Sequence, residues 1–443
     1  MTIDLSGHYG YKRIIRTMIP MVLMMIVISV YSIVDGFFVS NYAGSTAFAG
    51  MNLIWPAIAL VSALGLMIGS GGSALVAKTF GEGNPEKANR VFSMLVRLTI
   101  IGGSVIAVLF FIFMPQIVEM LGSDEAMKPY SVLYGRILVL VLPSYMLQME
   151  FQPFYMVAEK PHLGTILSMV SGVTNIALDA LFVALFGWGL KGAAIASSVS
   201  MLISGLYPLW FFSSRKNTTQ LRLVHTDNDW KSIAKSCTNG MSEFVGNVAL
   251  SIISICYNWQ LMIFIGDDGV SAYGIVMYVG FIFASVFIGY NIGISQIISF
   301  NYGAGNKTEL RSLLRKSLVL VSIIGVLMCA AAEMLSPGIA RIFVGYDPSL
   351  TRLTVHALRI YMLSFLICGF NMFTSAWFTA LNNGLVSAVA AFARTLVFEL
   401  AAVFILPYFF QIEGIWVSVN LAEVLALMLS AILILSFRKR YLD

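Results

Sequence analysis

The chain has 443 residues, of which 58% are hydrophobic and only 11% are charged. A soluble core of this length could not bury so much apolar surface, so the composition excludes an ordinary water-soluble globular protein. The formal net charge of +5 is small. It is explained by basic loops on one side of a membrane, and it gives no support to nucleic-acid binding.

Continuous apolar runs of about 20 residues follow one another along the chain, and this length suits helices that cross a bilayer. The strands of a membrane barrel would instead alternate polar and apolar residues over about 10 positions. The first run, Ile14 to about Ser40, is too long for the core of a cleaved signal peptide and is expected to remain as a span. In chain order, the predicted spans begin near Ile14, Ala47, Val91, Ser131, Leu163, Lys191, Ser236, Val270, Ser317, Leu353, Leu385 and Ile415.

The loops between these spans differ in charge. One side of the membrane receives 20 of the 27 Lys and Arg residues when the turns are followed in order. Loops rich in Lys and Arg stay on the cytoplasmic side. We therefore expect both termini to be cytoplasmic, in a multi-pass protein of a prokaryotic cytoplasmic (inner) membrane.

The second half of the chain repeats the first at a nearly constant offset. The motif FGEGN recurs as YGAGN, with Gly81 matching Gly303, an offset of 222 (303 minus 81). Gly192 matches Gly414 at the same offset, and the GxxxG pair that starts at Gly65 recurs 224 residues later at Gly289. These matches predict two homologous halves.

Six spans in each half place its start and end on the same side of the membrane, so the repeats are parallel. This predicts twelve transmembrane helices in two six-helix lobes related by pseudo-two-fold symmetry. The predicted divisions are an N-terminal lobe (1–213), a cytoplasmic linker (214–235) and a C-terminal lobe (236–443). In such transporters the substrate path lies between the lobes.

Common signatures of hydrolytic enzymes are absent from the sequence: it has no HExxH, GxSxG or GxxxxGK[ST] string. We therefore predict that the chain is not an enzyme, needs no cofactor, and takes energy from an ion gradient.

Ionisable side chains inside spans are costly, so those that remain are candidate functional groups. Asp35 lies in the outer half of the first span and Asp179 in the outer half of the fifth. Asn175 precedes Asp179 by four residues and shares its helix face. Two carboxylates and an amide oxygen suit a proton or a Na⁺ ion. The alternative is that each acid reaches the membrane interface or bonds a neighbouring helix.

The C-terminal lobe does not duplicate this set, because its positions at the 222 offset are Val397 and Ala401. Instead Arg394 and Glu399 lie in the eleventh span and Glu423 in the twelfth. Five residues separate Arg394 from Glu399, a poor spacing for an intrahelical pair. A substrate-binding or gating role and a structural ion pair are both open for these three charges.

The order and spacing of several motifs resemble those of the multidrug and toxic compound extrusion family over nearly the whole chain. The resemblance implies a V-shaped twelve-helix fold that exports cationic or amphipathic compounds in exchange for H⁺ or Na⁺. The matching segments are Pro20, 34–36, the glycine motif and its repeat, 175–179 and 189–197.

Within that family the chain looks like the DinF-type branch. That likeness implies a cation site formed by Asp35 with Asn175 and Asp179, with Ser197 supplying the hydroxyl of the sixth helix. It also implies that Pro20 marks a position at which the first helix bends in some members.

Two other functions remain open from the sequence. One is a flippase for lipid-linked or polysaccharide precursors, for which Arg394 is the only support. The other is a receptor or membrane enzyme, which the internal repeat disfavours. The expected partners are small organic molecules and the lipid bilayer, and the chain is expected to be a monomer.

Overall fold

The computed structural model describes residues 4–227 and 229–442, and the regular structure in these two ranges is helical throughout. Three short π-helical segments, Val39–Ala43, Ala180–Leu185 and Ala393–Glu399, lie among the α-helices. The α-helices are α1 (Tyr11–Phe38), α2 (Ser45–Gly81), α3 (Pro85–Met120), α4 (Lys128–Leu140), α5 (Leu142–Val157), α6 (Pro161–Asp179), α7 (Gly189–Ser213), α8 (Trp230–Asn239), α9 (Met241–Phe264), α10 (Asp267–Gly303), α11 (Lys307–Val344), α12 (Pro348–Met362), α13 (Phe365–Ala380), α14 (Gly384–Phe392) and α15 (Leu400–Tyr441).

These helices supply twelve membrane crossings. Within the described ranges, nine helical stretches are each long and apolar enough to span a bilayer. Two bent pairs, α4 with α5 at 60° and α12 with α13 at 46°, form one span each. The last stretch, Gly384–Tyr441, has 58 residues and breaks at Gln411, whose φ of 49° is not helical. It therefore holds two spans, and the all-α, twelve-span prediction is confirmed.

The repeated glycine motif forms the same turn in both halves. Gly83 and Gly305 have φ values of 76° and 69°, a left-handed conformation that costs glycine little. The next residue in each copy caps the following helix: the Asn84 side chain accepts from the backbone N–H of Lys87 at 3.0 Å, and Asn306 does the same at the start of α11. The motif thus reverses the chain between two long spans and starts the second one.

The GxxxG pairs also explain close helix contacts, but in different places. Gly65 and Gly69 let α2 lie against the backbone of α5, where a Cβ on Gly69 would meet a carbonyl oxygen at 2.6 Å. Gly289 and Gly293 let α10 lie against α1, which belongs to the other half. The same spacing therefore packs one lobe internally and joins the two lobes elsewhere.

The two lobes meet at the end of the molecule that carries the linker and the start of α1, which we call the linker face. The opposite end is called the far face. At the linker face, the Asn239 amide donates to the carbonyl oxygen of Gly71 at 3.4 Å. The Asn382 amide donates to the carbonyl oxygen of Ala74, also at 3.4 Å. The ends of α2 and α10 also pack closely there.

The segment before α1 ties both lobes together at the linker face. The side chain of Glu309, on α11, accepts from the Tyr9 backbone N–H at 2.9 Å and contacts the His8 ring at 2.6 Å. The backbone N–H of Leu5 donates to Glu159, in the turn after α5, at 3.0 Å. Leu5 and Tyr9 are buried. This arrangement closes the linker face.

Candidate functional site

The four residues predicted to form a cation site meet inside the first lobe, on α1, α6 and α7. The Ser197 hydroxyl donates to Asp35 Oδ1 at 3.3 Å and accepts from the Asn175 amide at 3.4 Å. Asp179 lies one turn beyond Asn175 and is fully buried, whereas Asp35 is half-buried. The structure therefore brings together side chains that lie up to 162 residues apart.

This cluster has more acceptors than donors. Both carboxylate oxygens of Asp179 and the amide oxygen of Asn175 are buried and receive no hydrogen bond from the described residues. The carboxyl of Asp35 is a direct electrostatic neighbour of Asp179. Two facing carboxylates in a medium of low dielectric repel strongly unless a proton or a cation neutralises them.

The donor set fits either a proton or Na⁺. A proton shared between the two carboxyls would satisfy their oxygens, and a hard cation would take oxygen ligands from the acids, the amide and the hydroxyl. Among the described residues, no group of three or more His, Cys, Asp or Glu side chains forms a metal site. The unsatisfied oxygens of the cluster lie on Asp179 and Asn175.

A π-helical segment follows each of the two acids. Val39–Ala43 begins four residues after Asp35, and Ala180–Leu185 begins directly after Asp179. Such segments insert an extra residue into a helical turn and occur often at functional sites. These segments could not be predicted from the sequence, because no residue type marks a π turn.

Two tyrosines near the acids were not singled out from the sequence. Tyr31 lies one helical turn before Asp35, and its hydroxyl accepts from the Gln148 amide at 3.4 Å. Tyr134, on α4, is fully buried; its hydroxyl has no hydrogen-bond partner in the described ranges and interacts electrostatically with both acids. The four-residue spacing from Asp35 could have revealed Tyr31.

The predicted bend position, Pro20, lies within α1, which continues through it as one helix. Its carbonyl oxygen accepts from the hydroxyl of Thr165, on α6, at 2.6 Å. Proline lacks the N–H that would complete the helix ladder, so this position is intrinsically weak. A bend there stays a prediction.

The charges of the second lobe form a bonded network. The Arg394 guanidinium donates to one oxygen of Glu423 at 2.8 and 2.6 Å. The Asn371 amide donates to the other oxygen at 2.6 Å, and Ser430 in turn donates to Asn371. Glu423 is buried and Arg394 partly so. An ion pair between Arg394 and Glu423 is therefore present, and the roles of the three charges stay a prediction.

Glu399 remains outside that network, although it lies in the same π-helical segment as Arg394. Its side chain is 9% exposed and forms no hydrogen bond or ion pair within the described ranges. The stacked rings of Tyr257 and Tyr273, with centroids 4.8 Å apart, lie nearby. Glu399 is therefore the one free carboxyl among the three predicted charges of this lobe.

Comparison with known proteins shows the same repeat. The family model MatE matches residues 20–181 and, in a second copy, residues 244–405. The multidrug export protein MepA of Staphylococcus haemolyticus is 23% identical over 97% of this chain and 94% of its own length. The probable multidrug resistance protein YoeA of Bacillus subtilis is 24% identical over 93% of this chain and 90% of its own length.

The fold matches as well. A solved structure titled as the outward-facing conformation of a multidrug resistance MATE family transporter of the MOP superfamily aligns with a TM-score of 0.92. It is 21% identical and covers 99% of this chain and all of its own. Since the family model covers most of the sequence in two copies, the chain belongs to the MatE family, whose members are membrane transporters and not enzymes.

Proposed function

We propose that the protein is a secondary multidrug antiporter that exports cationic or amphipathic organic compounds in exchange for H⁺ or Na⁺. One observation carries this proposal: a pair of acids, the half-buried Asp35 and the fully buried Asp179, without any basic partner among the described residues. The names of the relatives, which describe multidrug export, support the substrate class.

The position of the basic residues supports the orientation. The linker face carries most of the Lys and Arg side chains, so it is the cytoplasmic side of an inner membrane. The lobes are joined at this face. The described conformation is then outward-facing, with the substrate path open at the far face, and the protein acts as a monomer.

In the proposed cycle, an ion enters from the far face and neutralises the acid pair. Removing the repulsion between the carboxylates changes the packing of α1, which also contacts α10 of the other lobe. The contacts at the linker face then break while the far face closes. This change from one open face to the other is alternating access. An entering cation gains about 2.3 kcal/mol per 100 mV, and each pH unit adds about 1.4 kcal/mol for a proton.

In the second lobe, we propose that the pair formed by Arg394 and Glu423 holds the π-helical segment in place. Glu399, at the end of that segment, is left to contact a cationic substrate or to gate its path. This division follows from their hydrogen bonding, since only Glu399 is free to accept a new partner.

The test is efflux of a fluorescent cationic dye from proteoliposomes under separately imposed pH and Na⁺ gradients. The wild type is expected to transport under at least one gradient, which identifies the ion, and Asp35→Asn is expected to lose that transport. Full gradient-driven transport by the variant would refute the coupling site. Absence of wild-type transport under either gradient would favour a lipid-linked precursor flippase.

A further inference from the structure

The first lobe carries a groove on its lipid-facing flank. The groove has a volume of about 430 Å³ and lies between α3 and α4. α3 is a peripheral helix that exposes a row of aliphatic side chains along the spanning region. The walls are apolar apart from one guanidinium group; the groove is lined by Phe111, Val132, Leu133, Arg136 and Leu140, among others.

Arg136 is unpaired in this groove. It makes no hydrogen bond or ion pair with any described residue, and its Nε atom is buried without an acceptor. Its guanidinium lies over the ring of Phe111, 5.2 Å from the centroid. Arg136 also lies two helical turns inside the span, eight residues after Lys128, or about 12 Å along α4. An unneutralised arginine at this depth is costly.

In the second lobe, the corresponding arginine has a carboxylate partner. Arg359, on α12, forms an ion pair with Glu333, on α11, at 3.4 Å. Glu333 corresponds to Phe111 at an offset of 222 (333 minus 111), and Arg359 corresponds to Arg136 at 223 (359 minus 136). The arginine is thus present in both lobes, whereas its carboxylate partner is replaced by a phenylalanine in the first.

We propose that the groove binds an anionic phospholipid from the leaflet at the far face, with the lipid phosphate as the anionic partner of Arg136, as the Glu333 carboxylate is of Arg359 in the second lobe. A guanidinium matches a phosphate in charge and in the geometry of its paired donors. Helical side chains lean towards the helix N-terminus, so Arg136 points up α4 towards the far face, where lipid head groups lie. One acyl chain would then follow Ile137 and Leu140 towards the bilayer centre.

The whole protein, purified in detergent, is titrated with a phosphatidylglycerol or a phosphatidylcholine, and retained lipids are counted by native mass spectrometry. The wild type is expected to retain one phosphatidylglycerol molecule that Arg136→Gln loses, with an apparent affinity at least tenfold lower in the variant. Phe111→Glu, which restores the internal carboxylate, is expected to lose the same lipid while keeping the arginine. Millimolar inorganic phosphate is expected not to displace it, because it lacks the acyl chains.

Arg359→Gln is the matched control, since this arginine already has a carboxylate partner, and it is expected to retain phosphatidylglycerol as the wild type does. Thermal unfolding of each variant shows whether it is folded. The proposal is overturned if folded Arg136→Gln or folded Phe111→Glu retains phosphatidylglycerol like the wild type. It is also overturned if phosphatidylcholine binds equally well, or if free phosphate displaces the lipid.

Discussion

The two lobes share one fold but place their ionisable groups differently. The acid cluster of the first lobe has no basic partner among the described residues, while the second lobe has an apolar or aromatic residue at every position that corresponds to the cluster. At the offset of 222 those positions are Tyr257, Val397, Ala401 and Val419. The two halves therefore share their helices but not the polar residues of this cluster.

The charged network of the second lobe likewise has no counterpart in the first lobe. Arg394 and Glu423 of the second lobe correspond to Gly172 and Met201 in the first. In this network the Glu423 carboxylate accepts from an arginine side chain, whereas the Asp179 carboxylate of the first lobe has no hydrogen-bond donor among the described residues. The proposed ion site and the observed ion pair therefore lie in different lobes.

The largest expected effect is on transport, in the first lobe. Asp179→Asn keeps the size of the side chain but removes one of the two facing carboxyls, so the ion loses one of its two proposed carboxylate ligands. We expect gradient-driven efflux to fall at least tenfold. Dye efflux from proteoliposomes measures this, with Ala401→Asn, at the matching position of the second lobe, as the control that should stay near wild-type activity.

The next effect is on stability, in the second lobe. Glu423→Gln leaves the Arg394 charge buried without its carboxylate, and breaking a buried pair in this way costs about 3–5 kcal/mol. Thermal unfolding in detergent should show a clear drop in the melting temperature. Replacing both residues, as Arg394→Met with Glu423→Gln, should recover most of the loss. A single variant that melts like the wild type would mean that the pair is not structural.

The glycine pairs allow a smaller, more selective comparison. Gly65→Leu places a side chain against the α5 backbone inside one lobe, so it should lower thermal stability. Gly289→Leu places it between α10 and α1, where the lobes can separate, so it should instead favour the state with an open linker face. Distances between spin labels on the two lobes would report this change. Equal destabilisation by both variants would contradict the assignment of the two contacts.

The smallest expected effect concerns the hydroxyl of the ion site. Ser197→Ala removes a neutral hydrogen-bond donor to Asp35, worth about 1 kcal/mol. The ion concentration needed for half-maximal efflux should shift about fivefold, without loss of the maximum rate. Ser197→Thr keeps the hydroxyl and should behave like the wild type; a matching shift in both variants would instead point to packing.

The twelve spans and the repeat were predictable from the sequence, because apolar length and a constant offset can be read along the chain. The proximity of Asp35 to Asn175 and Asp179 was predictable from acids at equal depth, whereas Ser197 was implied only by the family resemblance. The lobe divisions at 213/214 and 235/236 stay a prediction. The partner of Arg394 was not predictable, since the helix spacing excludes Glu399 but does not choose Glu423. The choice depends on how two helices cross in space.

The burial of one acid was also not predictable from the sequence. In the predicted fourth span, Glu150 lies nearer the cytoplasmic end than the middle, and this depth alone predicts contact with solvent. That expectation is wrong, because Glu150 is fully buried where α5 packs against Gly69 of α2. A close helix crossing excludes water from a position that its depth alone would leave exposed to solvent. This crossing depends on a glycine some 80 residues away in the chain.

The most direct test of the division between the lobes compares two carboxyl-to-amide variants, Asp35→Asn and Glu399→Gln, in one assay. Dye efflux is measured in proteoliposomes with the gradient of the coupling ion imposed and then collapsed. We predict that Glu399→Gln keeps a response to the gradient, even if its dye affinity falls, and that Asp35→Asn loses it. A gradient response that survives in Asp35→Asn and disappears in Glu399→Gln would place coupling in the second lobe and contradict the account.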